Sequence, residues 1–347
     1  MKKLRSAVFC LAMVYSAASI AALEPGRVNV VDAPTPPAQR ATGPGGSDYA
    51  YERVRVTAYG EGAEGYWIIE PTQSAKTDEP LPVVLFAHGL NQINYRAYDA
   101  WLRHLARRGN LVIYPRYQTG GVIDPKSFTP AAARAMREAL ERCDATQHAK
   151  ADRERIAMIG HSVGGTIVAN LAARPEHFGL PAPQALMLLQ PGDTRADRGL
   201  GALLPSLTEE HATIAAGTLM LVVDVEDDYF VSPLAGQRIL DRAVRIEAQD
   251  KNRLLLRDDA HGLPALQADH VLPFAWRNGP GPSPAHADAY DFAMWRWFDA
   301  LQATAYGDAS QRPIALGNTP EQLDLGAWSD GEPVREPDVI EFTEPRR

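Results

Sequence analysis

Short apolar runs alternate with longer amphipathic segments through the middle of the chain. Apolar runs of four to eight residues are typical of strands that are buried on both faces of a parallel sheet. Six such runs occur, at 82–87, 111–114, 155–160, 185–190, 218–225 and 253–257. The segments between them have helical periodicity and predict helices at 95–108, 130–142, 162–173, 233–244 and 286–306. This alternation predicts an α/β sheet with helices on both faces.

Two further strands precede this alternation. Residues 51–57 and 65–70 are strand-like and flank Gly60 and Gly62. Glycines between two strand-like runs are typical of a hairpin, so we expect an antiparallel pair.

The first 22 residues differ from the rest of the chain. Lys2, Lys3 and Arg5 precede an apolar run at 7–20, which is followed by two alanines. This pattern predicts a secretory signal peptide at 1–22, and therefore a periplasmic or secreted protein. The apolar run has about fourteen residues, fewer than the roughly twenty that span a bilayer, so we expect no stable membrane insertion.

Two segments rich in proline flank the predicted sheet. Residues 23–50 contain several prolines and glycines and predict a linker. Residues 307–347 are acidic and contain five prolines, and we expect a tail that wraps the domain or stays mobile.

Composition and charge exclude several classes of protein. The chain has 347 residues, 45% of them hydrophobic, and its 35 basic and 43 acidic side chains give a charge of −8. Collagen, a membrane bundle and a fully disordered chain are excluded. No long basic run is present, so we expect no nucleic-acid partner. Cys10 would leave with the signal peptide, and Cys143 would remain as a packed thiol without a disulfide partner.

A strand, a tight turn and a helix meet at a G-x-S-x-G motif. The run at 155–160 leads into Gly160-His161-Ser162-Val163-Gly164, and a predicted helix follows. This is the setting of a nucleophile elbow, in which glycines let strand and helix approach closely. We therefore predict that Ser162 is a nucleophile.

A serine hydroxyl needs a base, and nine histidines are candidates. His261 follows the last predicted strand directly, within Asp258-Asp259-Ala260-His261-Gly262, and we predict that it is the base. His88 and His161 are interpreted as scaffold. The other six have no strand end before them: His104, His148, His177, His211, His270 and His286.

The acid of such a triad is expected between Ser162 and His261, at a strand end. The run at 218–225 is followed by Glu226, Asp227 and Asp228. Asp228 is favoured because Val231 stands three residues later and can pack the loop back, with Asp227 as the alternative acid and Asp193 as a third candidate. The acidic cluster lacks the spacing of an EF-hand, so we predict no metal site.

Attack on a carbonyl also requires donors for the oxyanion. In this arrangement they are the N–H of the residue after the nucleophile, Val163, and one from the loop after the first parallel strand. Leu90 is the expected second donor, with Asn91 next.

Four segments, VVLFAHG, GHSVGG, VEDDYFVSP and DDAHG, occur in this order and resemble the α/β-hydrolase family of serine esterases and lipases. The His88-Gly89 loop and the sequence YPRY at 114–117 are similar to the dienelactone-hydrolase, chlorophyllase and polyester-hydrolase branch. The resemblance covers about 51–306 and implies a catalytic domain with a mostly parallel sheet of about eight strands. It also implies ester hydrolysis through an acyl-enzyme, without a cofactor.

The expected substrate is a small, uncharged and moderately hydrophobic ester. Two long segments after strand ends, 194–217 and 262–285, could form walls or a lid. An acyltransferase or a peptidase could use the same triad, and a non-catalytic binding protein on this fold is the alternative of a different class.

Overall fold

Strands and helices alternate in the computed structural model as the sequence predicts. It describes residues 33–72, 79–119, 124–145, 148–193, 200–277, 279 and 286–341. The predicted signal peptide at 1–22 and the beginning of the predicted linker, 23–32, lie outside the described residues.

Nine strands of the described chain form one mixed sheet. They are β1 (Arg53–Tyr59), β2 (Tyr66–Thr72), β3 (Leu81–Ala87), β4 (Leu111–Pro115), β5 (Ala151–His161), β6 (Ala185–Leu189), β7 (Leu219–Val225), β8 (Lys251–Leu256) and β9 (Asp338–Val339). Their order is β1-β2-β4-β3-β5-β6-β7-β8-β9. Strands β3 to β8 are parallel, whereas β1, β2 and β9 pair antiparallel with their neighbours. The predicted hairpin and the six predicted buried strands are confirmed.

Helices cover both faces of this sheet, as predicted. The described helices are α1 (Asp99–Arg107), α2 (Pro125–Ala145), α3 (Val163–Ala173), α4 (Pro175–Phe178), α5 (Leu234–Arg242), α6 (Ala289–Ala305), α7 (Arg312–Ala315) and α8 (Pro320–Leu323). Helices α1 and α6 pack with Val84 and Phe86 in one apolar core. Helices α2, α3 and α5 pack with Val83 and Leu85 in a second core on the other face. Within the described residues, no helix has the length and apolarity needed to cross a membrane.

The segment after α6 is part of the folded domain. Strand β9 pairs with β8 through Leu254 and Val339, and the indole of Trp328 is buried in the first core. Its Nε1–H donates to Asp259 Oδ2 at 3.0 Å. The described part of the predicted tail therefore wraps the sheet edge, and the folded unit extends past the expected boundary at 306.

The described part of the predicted linker is also tied to the domain. Thr35 exchanges two 3.0 Å hydrogen bonds with Ser329, and the Gly45 N–H donates to the buried Asp299 carboxylate at 2.9 Å. Backbone hydrogen bonds and ion pairs thus hold residues 34–50 against the domain, although this segment has no large apolar face. Proline-rich composition alone cannot reveal such contacts.

Removing the Trp328 side chain should destabilise the domain. We expect Trp328→Ala to lower the free energy of unfolding by about 3–5 kcal/mol, because it leaves a cavity and removes a buried donor. Urea unfolding of the variant measures this loss. The half-exposed Val244 offers a control, since Val244→Ala creates no cavity; equal stability of the two variants would show that the terminal segment does not support the core.

The buried imidazole of His211 should make stability depend on pH. His211 lies in a 3₁₀ helix (Glu210–Thr213), and its two ring nitrogens have no hydrogen-bond partner in the described chain. Burial lowers its pKa to about 4, from an ordinary value of 6.5. Between about pH 6.5 and pH 4, the unfolded chain therefore binds a proton at this imidazole that the folded chain does not bind. This group thus lowers the free energy of unfolding as the pH falls.

We expect His211→Leu to remove that contribution. The free energy of unfolding of the variant relative to the natural protein should rise by up to about 3 kcal/mol between pH 7 and pH 4. Unfolding curves at several pH values measure this difference, with His177→Leu on the exposed surface as the control. A difference that is constant with pH would contradict the assignment.

Candidate functional site

The residue at the centre of the G-x-S-x-G motif has a strained backbone. Strand β5 ends at His161, α3 begins at Val163, and Ser162 between them has φ 55° and ψ −119°. A side chain at such a φ is unfavourable, and it persists only where the surroundings hold it. Here the Ser162 N–H donates to Leu189 O at 2.8 Å and its carbonyl accepts from Gly165 N–H at 2.9 Å.

Close packing explains the two glycines that flank the serine. A Cβ atom added at Gly160 would lie 2.2 Å from Gly164 O, and one added at Gly164 would lie 2.0 Å from Ala87 O. Both contacts are far below van der Waals separation. The glycines therefore let β3, β5 and α3 meet closely enough to hold the strained turn.

A hydrogen-bonded chain of three side chains runs from this serine. Ser162 Oγ lies 3.0 Å from His270 Nε2, and His270 Nδ1 lies 2.7 Å from Asp228 Oδ2. Because the carboxylate can only accept, Nδ1 carries the proton, and Nε2 accepts from the serine hydroxyl in the neutral imidazole. Ser162 and His270 are both largely buried, with 4% and 9% of their surface exposed.

The structure corrects the prediction that His261 is the base. His261 Nε2 lies 2.8 Å from Asp330 Oδ2, on a half-exposed surface beside the Trp328 ring. Hydrogen bonds between Asp259 and Leu266 close a turn that carries His261 away from Ser162. The loop after β8 returns to the serine only at His270, nine residues later in the sequence.

The first choice of acid lies at the expected place. Asp228 Oδ1 accepts from the N–H groups of Phe230 and Val231, both at 2.9 Å, which leaves Oδ2 to face His270. The alternative acid, Asp227, makes no side-chain contact with His270 in the described chain; its backbone N–H donates to Ala268 O at 3.1 Å.

The third candidate acid lies in a different network. Asp193 is fully buried and accepts from Leu207 N–H at 3.1 Å and from Arg238 Nη1 at 2.9 Å. These contacts connect Asp193, which lies shortly after β6, to Leu207 and to helix α5.

A buried ion pair supports the turn that carries Asp228. Arg253 on β8 donates to Asp224 Oδ2 at 2.7 Å and to Pro233 O at 2.9 Å. Burial raises the pKa of Asp224 to about 6, although Arg253 opposes the shift. The pair links the end of β7 to the residue before α5, and so fixes both ends of the acidic turn.

The variable residue of the elbow braces the histidine loop. His161 Nε2 lies 2.9 Å from His270 O, and its Nδ1 lies 2.7 Å from the Tyr98 hydroxyl. Tyr98 in turn accepts from Gly89 N–H at 2.9 Å. Burial holds the pKa of His161 well below 6.5, so the ring is neutral. This arrangement agrees with a scaffold role for His161.

Within the described residues, the backbone N–H groups of the two expected oxyanion donors, Leu90 and Val163, have no acceptor. In the described loop after β3, the Gly89 N–H is occupied by Tyr98, and the Asn91 N–H donates to Gln118 Oε1 at 2.8 Å. Only Leu90 among these three has an N–H without an acceptor in the described chain. Val163 is the first residue of α3, so its N–H has no intrahelical acceptor either.

The second scaffold histidine, His88, is the first residue of that loop. His88 stacks on Tyr117 with ring centroids 4.1 Å apart, and its Nε2 lies 2.9 Å from Arg116 O. Burial lowers the pKa of His88 to about 4, so this ring is also neutral.

The two predicted wall segments are described in part, at 200–217 and at 262–277 and 279. Leu266, Leu272 and Phe274 of the second segment are buried in the core that contains α6, whereas Leu263 is half exposed. The first three therefore pack the domain. Among the described residues, no group of three His, Cys, Asp or Glu side chains could hold a metal ion.

Comparisons with known proteins place the chain by fold. No protein with a curated description matches the sequence. A carboxylesterase from Lactobacillus plantarum WCFS1 is similar with a TM-score of 0.52 and 15% identity, over 74% of this chain and 98% of its own. A second structure from that organism, assigned as a carboxylesterase, gives a TM-score of 0.46 and 15% identity, over 59% and 87%. A family model described as the α/β-hydrolase fold matches residues 84–267, more than half of the sequence, and the chain therefore belongs to this family.

Proposed function

We propose that this protein is a serine hydrolase that cleaves carboxylic esters through an acyl-enzyme. The observation that carries the proposal is the chain of hydrogen bonds from Ser162 through His270 to Asp228 at a strained elbow. The α/β-hydrolase fold hosts many chemistries, and the named carboxylesterase shares only the fold, so the proposal rests on the site.

In the first half of the reaction, Ser162 Oγ attacks the ester carbonyl carbon. His270 Nε2 takes the hydroxyl proton as the bond from Oγ to the carbonyl carbon forms. It then gives this proton to the alcohol oxygen as the bond between that oxygen and the carbonyl carbon breaks. Asp228 holds Nδ1–H, which keeps the ring in the tautomer that can accept and stabilises the imidazolium.

The tetrahedral intermediate carries negative charge on the former carbonyl oxygen. The free N–H groups of Leu90 and Val163 are the donors proposed for this oxygen. They are backbone groups held in place by the loop after β3 and by α3, so they need no rearrangement when the charge develops.

In the second half, water attacks the acyl-enzyme. His270 takes a proton from the water and returns it to Ser162 Oγ as the carboxylic acid leaves. Every proton is carried by His270, and the serine is regenerated.

The basic and apolar pattern of residues 1–22 supports a further proposal that the protein is exported.

The two histidines after β8 give the sharpest test of the base. We expect His270→Ala to lower kcat/KM on a p-nitrophenyl ester by about 10⁴-fold, as should Ser162→Ala, because each removes a reacting group. His261→Ala is the matched control and should keep nearly full activity, since its imidazole contacts Asp330. Loss of activity in the His261 variant alone would overturn the assignment.

The two neighbouring aspartates test the acid in the same way. Asp228→Asn should lower kcat by about 10⁴-fold, because an amide at that position favours the wrong imidazole tautomer. Asp227→Asn should have little effect, since Asp227 holds the loop through its backbone N–H. Steady-state kinetics on one ester compares the two variants, and equal losses would contradict the role given to Asp228.

A further inference from the structure

Exposed apolar side chains follow the acid of the hydrogen-bonded triad closely in the sequence. Five large apolar side chains are exposed in the described chain, and three of them, Tyr229, Phe230 and Leu234, lie within six residues directly after Asp228. Tyr229 is 85% exposed and Phe230 is 46% exposed. Exposed apolar groups that cluster beside a reactive site are typical of a surface that binds a ligand.

Phe230 has the closest relation to the reacting groups. Its ring centroid lies 5.2 Å from that of His270, with 40° between the ring planes. Its N–H donates to Asp228 Oδ1, and the next residue, Val231, donates to the same oxygen and is buried. The carboxylate that orients His270 therefore also fixes the backbone that carries the phenyl ring.

The chemistry of the triad indicates which half of the ester meets this ring. The leaving alcohol oxygen must come within hydrogen-bond reach of His270 Nε2, because that atom delivers its proton. The carbonyl oxygen must instead lie toward Leu90 and Val163. The alcohol part of the substrate is thus held on the histidine side of Ser162, where Phe230 covers part of the imidazole.

We propose that Phe230 forms the wall of the subsite for the leaving alcohol and selects esters of bulky apolar or aromatic alcohols. This inference rests on the proposed ester hydrolysis. A phenyl ring can contact an aromatic alcohol by offset or edge-to-face packing, and it offers a methyl ester little surface. Contacts of this size change kcat/KM about tenfold.

The test is a pair of ester series measured with Phe230→Ala. With acetate as the constant acyl group, the alcohol changes from methyl to benzyl; with methanol constant, the acyl group changes from butyrate to octanoate. We expect Phe230→Ala to raise KM for benzyl acetate about tenfold and to change kcat for this ester by less than about twofold. For the methyl esters of both acyl chain lengths, kcat and KM should also change by less than about twofold. Phe230→Tyr retains the ring and should restore the preference for benzyl acetate.

Tyr229→Ala is the matched control, because Tyr229 belongs to the same turn and has no ring contact with His270 in the described chain. It should keep the benzyl-to-methyl ratio of kcat/KM. The rate of labelling by a small fluorophosphonate reports on Ser162 and His270 without using the alcohol subsite, and Phe230→Ala should leave it unchanged.

The outcomes separate this inference from the proposed function. An equal loss of kcat on all esters, together with slower labelling, would mean that Phe230 only supports His270, and would overturn the inference. An unchanged benzyl-to-methyl ratio would overturn it as well. Ester turnover that persists in Ser162→Ala would instead reject the proposed function itself.

Discussion

The close approach of β3, β5 and α3 is the constraint on which the rest of the site depends. It is possible only because Gly160 and Gly164 have no side chain. This packing holds Ser162 at a φ of 55°, and so lifts its hydroxyl out of the strand and turns it toward the loops at the carboxyl edge of the sheet. The same turn leaves the Val163 N–H at the start of α3 free to donate.

The loops after β7 and β8 then bring the acid and the imidazole to that hydroxyl. These loops are joined directly by the hydrogen bond from Asp227 N–H to Ala268 O, one residue before Asp228 and two residues before His270. The loop after β8 is held further by His161 at the His270 carbonyl. Each of the three side chains is thus positioned by at least one backbone contact, as a precisely built site requires.

Much of this arrangement could be predicted because it is determined by residues that are close together in the sequence. Strand runs, the glycines around Ser162 and the acidic turn after β7 depend on neighbours within a few residues. The position of the histidine does not. The loop after β8 makes a closed turn at Asp259 and Leu266 before it reaches the serine, and nothing near His261 reveals that this turn faces away.

The flanking segments could not be predicted for a related reason. Residues 34–50 have little apolar surface of their own, whereas residues 307–341 bury Leu316, Trp328 and Val334 in the first core. Both segments are also held by contacts with distant partners such as Asp299 and Asp259. Composition indicates how much apolar surface a segment can bury by itself. These two segments are instead ordered by their contacts with the rest of the domain. The one sequence signal for His270 is that it lies within the long segment after the last parallel strand.

Packing and hydrogen bonds together are expected to make Ser162 an activated nucleophile. The most direct measurement is mass-spectrometric mapping of the adduct formed by a fluorophosphonate probe on the purified protein. We expect one adduct, on Ser162, and its loss when His270 is replaced by alanine. An unlabelled Ser162, or an adduct that still forms at the same rate without His270, would contradict the roles given to these two residues.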